Sequence, residues 1–346
     1  MKNYKYDLYL LLIIMLSACS NQINHPIDHF NGKPVEFISP SRIIDLEEYE
    51  VLHPIYFTII DNDAFIINDD KTEKIFNLIN LSTKKSISGV NKGQGPGEVL
   101  GASFIQYVDN KILAYDSFQN TMNEIVISSD TTLAIKEAYM THPEAFSYFM
   151  IHHLDSTFLA VGYFDDYWLV EINKDGKIIS SLEYPKWEET KNPPKHLLPQ
   201  MFPRTRIANT SDRKKLVVAS NNQGVISFVN RTGSGIKEYK QLKYHPPVFF
   251  VSNGNVLIWS RHNIEGFKSV DCNDDYVFAL YSGKTYESHG VGFGDCEHLL
   301  VYDWEGNPIK RYELSIEISY MKYNKDNNCI YGLGLNPEAV LVEYQL

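Results

Sequence analysis

Short runs rich in Val, Ile, Tyr and Phe follow one another along most of the chain, and polar turn residues separate them. Beyond the N-terminus, apolar positions do not recur with the 3.6-residue period of an amphipathic helix over any long stretch. Apolar runs bounded by Asn, Asp, Gly and Ser are typical of strands joined by hairpins. The pattern therefore predicts an all-β protein, and clear examples of such strands are Ala64–Asn68, Lys111–Tyr115, Phe158–Gly162, Leu216–Ser220, Tyr276–Tyr281 and Cys329–Leu333.

The predicted strands are grouped into larger units that repeat along the chain. A strand, a polar turn and a further strand recur near residues 80–82, 128–130, 173–176, 230–233 and 303–306. Units of about 40 to 50 residues with four strands each indicate the blades of a β-propeller. We predict six blades, which cover residues 52–90, 102–140, 146–185, 204–243, 264–315 and 317–346.

The last of these units has room for only three strands before the chain ends at Leu346. The segment Val35–Leu46 alternates apolar and polar residues and has no hairpin partner next to it. We expect this segment to supply the fourth strand of the last blade, because closing the ring removes exposed sheet edges. The Pro-bearing connectors 186–203 and 244–260 are predicted to form lids.

The N-terminus has the features of a targeting segment. Lys2 and Lys5 precede an apolar stretch, Leu8–Leu16, which as a helix reaches only about 14 Å and is too short to cross a hydrocarbon core of about 30 Å. This pattern predicts a secretory signal peptide. The residues Leu16–Cys19 (LSAC) resemble the lipobox of bacterial lipoproteins, in which the Cys becomes the acylated N-terminus.

We therefore divide the chain into a lipoprotein signal peptide (1–18), a tether (19–34) and a propeller domain (35–346), with the lipid on Cys19. The alternative is a secreted protein with a Cys at this position by chance. Ser20, in place of Asp, resembles the context that sorts lipoproteins to the outer membrane, and no acidic cluster follows that would favour surface display. An outer-membrane lipoprotein that faces the periplasm is the resulting prediction.

Composition and charge exclude several classes of protein. The 346 residues are 44% hydrophobic, which is enough for a sizeable core. The formal net charge of −11 argues against nucleic acid as a partner. With Cys19 acylated, Cys272, Cys296 and Cys329 allow at most one disulfide, and their spacing favours buried free thiols.

Three stretches now resemble a known family. They are Gly93–Glu98 (GQGPGE), Ala279–Lys284 (ALYSGK) and Val301–Ile309 (VYDWEGNPI), and they are similar to the TolB-like six-bladed β-propeller lipoproteins. The resemblance covers essentially the whole mature chain. It implies a six-bladed propeller on a lipid anchor, and it carries over no catalytic residues.

The glycine-rich segment Gly93–Glu98 does not fit a phosphate-binding loop. Glu98 stands where a dinucleotide fingerprint has its last Gly, and the flanking elements are both strands. We interpret the segment as a tight crossing between blades that Glu98 clamps. Nucleophile-elbow, zinc-protease, P-loop and C-x-x-C motifs are all absent from the sequence, and no catalytic residue is predicted.

The connectors between blades nevertheless predict a binding site. In a propeller they converge on one face around the central channel, where a pocket is expected. Carboxylates, imidazoles and guanidiniums there suit an anionic or sugar-like ligand, with Arg as a bidentate donor. The alternative for each residue is an inter-blade bridge or solvent contact. The residues predicted at this channel mouth are Glu98, His142, Arg204, Arg206, Arg261 and His262.

Acidic turns are the remaining motif. Residues 61–63 (DND) and 271–275 (DCNDD) carry oxygen ligands suited to Ca²⁺, but they lack the Gly and Glu of an EF-hand loop and are more typical of hairpin turns. We predict no metal site and no cofactor. The sequence favours a binding or scaffold lipoprotein for an envelope protein, a peptide or a glycan. The alternative is a Ca²⁺-dependent propeller hydrolase or lyase with Glu98 as a channel ligand.

Overall fold

The computed structural model describes residues 25–129, 132–140, 148–188, 193–259 and 261–346. Within these ranges the chain is built almost entirely of antiparallel strands, β1 to β26, with a few short helical turns. The all-β prediction is confirmed. The signal peptide, Cys19 and His142 belong to segments beyond the described ranges.

Blades 1 and 2 form one continuous sheet, because their outer strands β6 and β10 pair in parallel where Gly89 lies opposite Leu133. A Cβ at position 89 would lie 2.2 Å from the Leu133 carbonyl oxygen, so only glycine permits this contact. Blade 1 contains β3 (Pro54–Asp61), β4 (Ala64–Asp69), β5 (Lys74–Asn80) and β6 (Lys85–Asn91), and blade 2 contains β7 (Phe104–Val108), β8 (Lys111–Asp116), β9 (Thr121–Ser129) and β10 (Thr132–Met140).

Blades 3 and 4 are separate four-stranded sheets. Blade 3 contains β11 (Tyr148–His153), β12 (Thr157–Gly162), β13 (Tyr167–Asn173) and β14 (Ile178–Glu183), and blade 4 contains β15 (Thr205–Asn209), β16 (Lys215–Ser220), β17 (Val225–Thr232) and β18 (Gly235–Lys243). The buried Trp168 joins them, since its indole N–H donates to the Thr205 hydroxyl at 2.8 Å.

The two connectors predicted as lids pack against each other. One contains a 3₁₀ helix, Lys195–Met201, and the other is a hairpin of β19 (Phe249–Ser252) and β20 (Asn255–Ile258). The Val256 N–H donates to the Gln200 side-chain oxygen at 2.7 Å. Leu197, Met201 and Val256 join the apolar core shared by blades 3 and 4, so these connectors form a fixed accessory layer.

Blades 5 and 6 share one long strand. The first half of β24 pairs with β23 as the outer strand of blade 5, and its second half pairs with β25 as the inner strand of blade 6. Between β22 and β23 lie a short helix α2 (Tyr286–His289) and a 3₁₀ turn (Gly290–Gly294). The strands are β21 (Phe267–Cys272), β22 (Tyr276–Tyr281), β23 (Cys296–Asp303), β24 (Pro308–Asn324), β25 (Cys329–Leu335) and β26 (Ala339–Gln345).

The N-terminal segment closes the last blade, as predicted. Strand β2 (Arg42–Asp45) pairs antiparallel with β26 and is the outer strand of blade 6. The segment is two strands and not one, since β1 (Val35–Ile38) pairs in parallel with β24 at the outer edge of blade 5. Pro40 lies between them, where it has no N–H to offer a ladder. A 3₁₀ turn, Glu47–Tyr49, leads into blade 1.

The inner strands β3, β7, β11, β15, β21 and the second half of β24 surround the centre. Strand β3 contacts β7 and β24, β7 contacts β11, and β21 contacts both β15 and β24. Between blades 3 and 4, the His152 Nε2 atom lies 2.6 Å from the Asn209 side-chain oxygen. These contacts close a ring of six blades and confirm the predicted six-bladed propeller.

Residues 25–34, part of the predicted tether, pack against the propeller. Helix α1 (Pro26–His29) leads to Phe30, which is buried and meets the Tyr302 ring edge-on at 5.0 Å. His29 Nδ1 lies 2.9 Å from the Tyr244 hydroxyl. In the part of the chain that the structure describes, no helix has the length and apolar character needed to cross a membrane. Cys272, Cys296 and Cys329 are free thiols.

Candidate functional site

We call the side of the ring that carries the connectors between blades the connector face. Glu98 lies in the connector from blade 1 to blade 2, and its carboxylate turns back onto its own loop. Its Oε2 atom accepts a hydrogen bond from the Gly95 N–H at 2.9 Å. A Cβ at Gly93 would lie 2.1 Å from the same oxygen, so the glycine makes room for it. Glu98 therefore clamps a tight turn, as the turn interpretation predicts.

Two buried aspartates hold the connectors that lead into blades 1 and 2. Asp69, at the end of β4, accepts backbone hydrogen bonds from Leu52 at 2.6 Å and His53 at 3.0 Å. Asp116, at the corresponding end of β8, accepts one from Leu100 at 2.6 Å. Each carboxylate also accepts a hydrogen bond from the turn that follows it. Asp69 accepts from the Lys71 N–H, and Asp116 accepts from the Phe118 N–H. The repeat of this arrangement fixes the connector face of both blades.

Arg261 and His262 do not reach the channel. Both contact Glu287 of α2, at 3.3 Å from the Arg261 guanidinium and 2.9 Å from His262 Nδ1. Trp259 packs edge-on against the His262 ring at 4.3 Å. The side chains of Arg261 and Glu287 are largely exposed. This cluster bridges the accessory hairpin and α2 on the connector face, which matches the inter-blade alternative.

Arg204 lies at the rim of the channel beside a buried carboxylate. Glu265 Oε1 is 3.1 Å from Lys268 Nζ and 3.8 Å from the Arg204 guanidinium, so two cations share one carboxylate. Next to them Lys284 pairs with Glu317 at 2.7 Å. Burial and the nearby Glu317 charge raise the pKa of Asp295 at the same rim.

Arg206 is the predicted site residue that lies inside the ring. It is the second residue of β15, and its Nε donates to the Lys268 carbonyl oxygen at 2.6 Å. Its guanidinium lies 5.6 Å from the centre of the Tyr56 ring. The Arg206 charge lowers the pKa of the Tyr56 hydroxyl, although burial acts in the opposite direction.

Arg206 borders a small chamber at the centre of the propeller. The chamber admits a group about the size of one water molecule. Lys322 also borders it, 3.8 Å from the Asp271 carboxylate. Every inner strand contributes to its wall, through Tyr56 of β3, Phe104 of β7, Met150 of β11, Arg206 of β15, Ser269 of β21 and Lys322 of β24.

A larger cleft of about 550 Å³ opens on the connector face between blades 1 and 2. Its walls are mainly apolar, with Ile55, Ile75, Leu100 and the exposed ring of Phe118. Asn68, Asp70 and Lys92 add a few polar groups, while Tyr56 and Ser103 line both the cleft and the chamber. Cleft and chamber are therefore neighbouring spaces with Tyr56 and Ser103 as shared wall residues, and Arg206 lies on the chamber side.

Comparison with known proteins agrees with this architecture. Residues 40–326 match the family model described as TolB-like 6-blade propeller-like. The chain belongs to this family. The match spans from the strand that closes blade 6 to the first turn within that blade, so it covers blades 1 to 5 and part of blade 6, and the predicted resemblance is confirmed. No curated protein matches the sequence significantly.

Solved structures share the fold at low sequence identity. A protein from Bacteroides fragilis that is described as exported has a TM-score of 0.54 at 12% identity, with 90% of this chain and 98% of that chain covered. The calcium-binding protein regucalcin from Agrobacterium tumefaciens has a TM-score of 0.51 at 10% identity, with 90% and 96% covered. A luciferin-regenerating enzyme has a TM-score of 0.51 at 9% identity, with 88% and 95% covered.

The predicted acidic turns are hydrogen-bonded as turns in this propeller. Asp61 accepts from the Asp63 N–H at 2.9 Å, and Asn273 accepts from the Asp275 N–H at 2.9 Å. Among the described residues, no three or more His, Cys, Asp or Glu side chains gather as a metal site. Calcium binding by this chain, and the hydrolase or lyase alternative with it, stay predictions.

Sequence reasoning missed most of the residues around the chamber. Tyr56, Ser269 and Lys322 lie within strands, whereas the sequence predicts the site in the connectors between blades. The available signal was their position in the first strand of a predicted blade, with Tyr56 and Ser269 near its start and Lys322 near the end of β24. Polar residues at that position of the innermost strand face the channel or a neighbouring blade.

Proposed function

We propose that this protein is a binding module of the bacterial cell envelope, anchored by a lipid on Cys19, which holds a ligand in the cleft between blades 1 and 2. The observation that carries the proposal is the apolar cleft, which shares Tyr56 and Ser103 with the chamber at the centre of the ring. At about 550 Å³ the cleft lies within the size range of small-molecule sites, and its apolar walls with few polar groups are typical of them.

The fixed backbone of the cleft wall supports a binding role. Leu100, Gly101, Ala102 and Ser103 belong to the connector that Asp116 and Glu98 hold in place by hydrogen bonds to the backbone. A wall that is ordered before the ligand arrives loses little conformational entropy on binding. The family fold supplies such a frame, and the ligand class within it is taken up below.

The membrane anchor is supported by the sequence. A charged n-region, a short apolar stretch and the LSAC residues that end at Cys19 together fit a lipoprotein signal. Acyl chains contribute about 0.8 kcal/mol per buried CH₂, so more than one chain holds a protein stably on a membrane. We place the propeller at the outer membrane, facing the periplasm, where it meets envelope proteins, peptides or glycans.

Native mass spectrometry of the protein purified from envelopes tests the binding role. Ala102→Trp fills the cleft, and Val291→Trp is the matched control because Val291 is exposed in the turn after α2 and does not line the cleft. The wild type and Val291→Trp are expected to retain a ligand mass that Ala102→Trp loses. Equal retention by all three proteins, or by none, contradicts binding in the cleft.

The anchor has its own test, which is independent of the cleft. Cys19→Ser is expected to abolish incorporation of labelled palmitate and to move the protein from the membrane fraction to the soluble fraction. Ser20→Ala is the matched control and leaves both unchanged. Membrane association of Cys19→Ser equal to that of the wild type contradicts the lipid anchor.

A further inference from the structure

The chamber holds more positive than negative charge. In the described part of the chain, no carboxylate pairs with the Arg206 guanidinium, whose Nε is bound to the Lys268 carbonyl oxygen. Lys322 has Asp271 at 3.8 Å, but Asp271 Oδ2 also accepts from the Tyr323 N–H at 2.9 Å. One carboxylate thus faces two cations at the centre of the ring.

This excess is notable in a chain of formal net charge −11. Removing a cation from water is costly unless a partner of opposite charge or a set of acceptors compensates it. At the rim, Arg204, Lys268 and Lys284 lie beside the carboxylates of Glu265, Glu317 and Asp295, so the excess of positive charge belongs to the chamber. The charges around the chamber therefore favour an anionic group beside Arg206.

The Tyr56 hydroxyl at the same place suits an oxygen acceptor. Tyr56 and Ser103 line both the cleft and the chamber; Tyr56 is a hydrogen-bond donor, whereas the Ser103 hydroxyl donates to the Tyr115 carbonyl oxygen at 3.2 Å. A carboxylate accepts hydrogen bonds from a guanidinium and from hydroxyls at once, and such charge-assisted bonds are the strong ones. The chamber admits one water-sized group, which corresponds to a single terminal oxygen and not to a bulky anion.

We propose that the cleft and chamber form a binding site for a small carboxylic acid with an apolar body, whose carboxylate points towards Arg206 and whose body lies between Ile55, Ile75 and Phe118. The inference deepens the proposed function and rests on it, because it assigns a ligand class to the same cleft. The apolar walls bind the hydrocarbon body of the ligand by hydrophobic burial, and the Arg206 cation favours a negatively charged end group.

A small molecule fits this space better than the end of a peptide. A peptide bound in extended form satisfies its backbone N–H and C=O groups along the binding surface. The cleft walls are mainly apolar, with Asn68, Asp70 and Lys92 as the few charged or amide side chains. An unbranched hydrocarbon body has no N–H or C=O groups that need hydrogen-bond partners in the cleft.

Isothermal titration calorimetry with octanoate and 1-octanol tests the charge requirement. The two probes have the same body and differ in the end group. Octanoate is expected to bind the wild type at least tenfold more tightly than octanol, since a charge-assisted pair is worth roughly that ratio or more. Equal affinities, or tighter binding of octanol, overturn the inference.

Arg206→Gln keeps a polar side chain at this position but removes the charge. It is expected to weaken octanoate binding at least tenfold and to leave octanol binding unchanged, so that the preference for the acid disappears. Arg261→Gln is the matched control, because Arg261 is on the same face and pairs with Glu287 outside the cleft. Tyr56→Phe serves as a second variant, with an expected loss of threefold or more for octanoate alone.

The outcomes separate this inference from the proposed function. If Arg206→Gln binds octanoate as tightly as the wild type does, the carboxylate assignment is wrong. The proposed function is still supported in that case if Ala102→Trp loses the ligand mass that the wild type retains. If the tetrapeptide Leu-Leu-Ala-Leu binds as a free acid at Arg206 and octanoate does not, the ligand is a peptide terminus and the inference is overturned. If no probe binds and no ligand mass is retained, both proposals fail.

Discussion

Glu98 accepts a hydrogen bond from the backbone N–H of Gly95 at 2.9 Å, within a loop of the connector face. A methyl group on Gly93 would lie 2.1 Å from the same carboxylate oxygen. The carboxylate and the two glycines therefore depend on one another. The Glu98 carboxylate is bound within its own loop, in the connector that leads on to Leu100 in the cleft wall.

This dependence predicts that Gly93→Ala and Glu98→Ala are not additive. Either change breaks the bond to Gly95 and is expected to lower the free energy of unfolding by about 1 kcal/mol, and the double variant by no more than either alone. Urea unfolding measures all three. Gly97→Ala is the control, because Gly97 has a φ of +78° and no atom lies near the position of its Cβ. It is expected to lower the free energy of unfolding by the same amount in the wild type and in Glu98→Ala. Additive losses for Gly93→Ala and Glu98→Ala would contradict the contact.

Asp69 is expected to be a major contributor to stability, because its buried carboxylate accepts from the backbone N–H groups of Leu52, His53 and Lys71. Asp69→Ala leaves these donors unpaired and should cost about 3 kcal/mol. The neighbouring Asp70 is half-exposed and pairs with His53, so Asp70→Ala should cost less than about 1 kcal/mol. Thermal and urea unfolding compare the two variants, and equal losses would show that Asp69 does not hold the connector.

Arg231 links blade 4 to a buried carboxylate of blade 3. Its Nε lies 2.8 Å from Glu171, which is almost fully buried and also accepts from the Thr157 hydroxyl at 2.7 Å. Arg231→Met leaves that charge unpaired and is expected to lower the free energy of unfolding by about 3 to 5 kcal/mol. Adding Glu171→Leu should recover most of the loss. A double variant that is less stable than Arg231→Met would contradict a pairwise bridge.

His152 predicts a loss of stability in mild acid. Burial lowers its pKa to about 4, while the unfolded chain has the ordinary value of 6.5. The unfolded state therefore takes up a proton at a higher pH than the folded state does, so stability falls from about pH 6.5 down to about pH 4. The full loss is about 3 kcal/mol.

Urea unfolding at pH 7.0, 5.5 and 4.5 measures this dependence. His152→Gln is expected to be less stable than the wild type at pH 7.0, and to lose less stability than the wild type between pH 7.0 and 4.5. His289→Gln, in α2 at the exposed surface, should retain the slope of the wild type. An unchanged slope for His152→Gln would show that another group controls the transition.

The blades could be predicted from sequence because each strand and turn leaves a local pattern. The apolar run Leu216–Ser220 and the turn that follows it are recognisable without knowledge of any neighbour. The closing role of β2 followed from counting strands in the last blade. The division of this segment into β1 and β2 was not predicted, and the parallel pairing of β1 with β24 involves residues more than 270 positions apart and has no local signal.

The site was less predictable, because it depends on which side of an inner strand faces the centre. Arg204 and Arg206 are two residues apart in sequence, but Arg204 lies at the rim with Glu265 and Arg206 lies in the chamber with Tyr56. The alternation of side chains along an inner strand does not tell whether a given side chain faces the channel or the neighbouring blade, since both environments are partly buried. Arg261 and His262 were directed away by Glu287 of α2, an element that the strand pattern did not predict.

The crystal structure of the mature protein with octanoate would test the account most directly. It predicts electron density for the hydrocarbon between Ile55, Ile75 and Phe118, with a carboxylate oxygen within hydrogen-bond distance of the Arg206 guanidinium. Octanoate found in the reverse orientation, on another face of the propeller, or in the cleft of Ala102→Trp would contradict it.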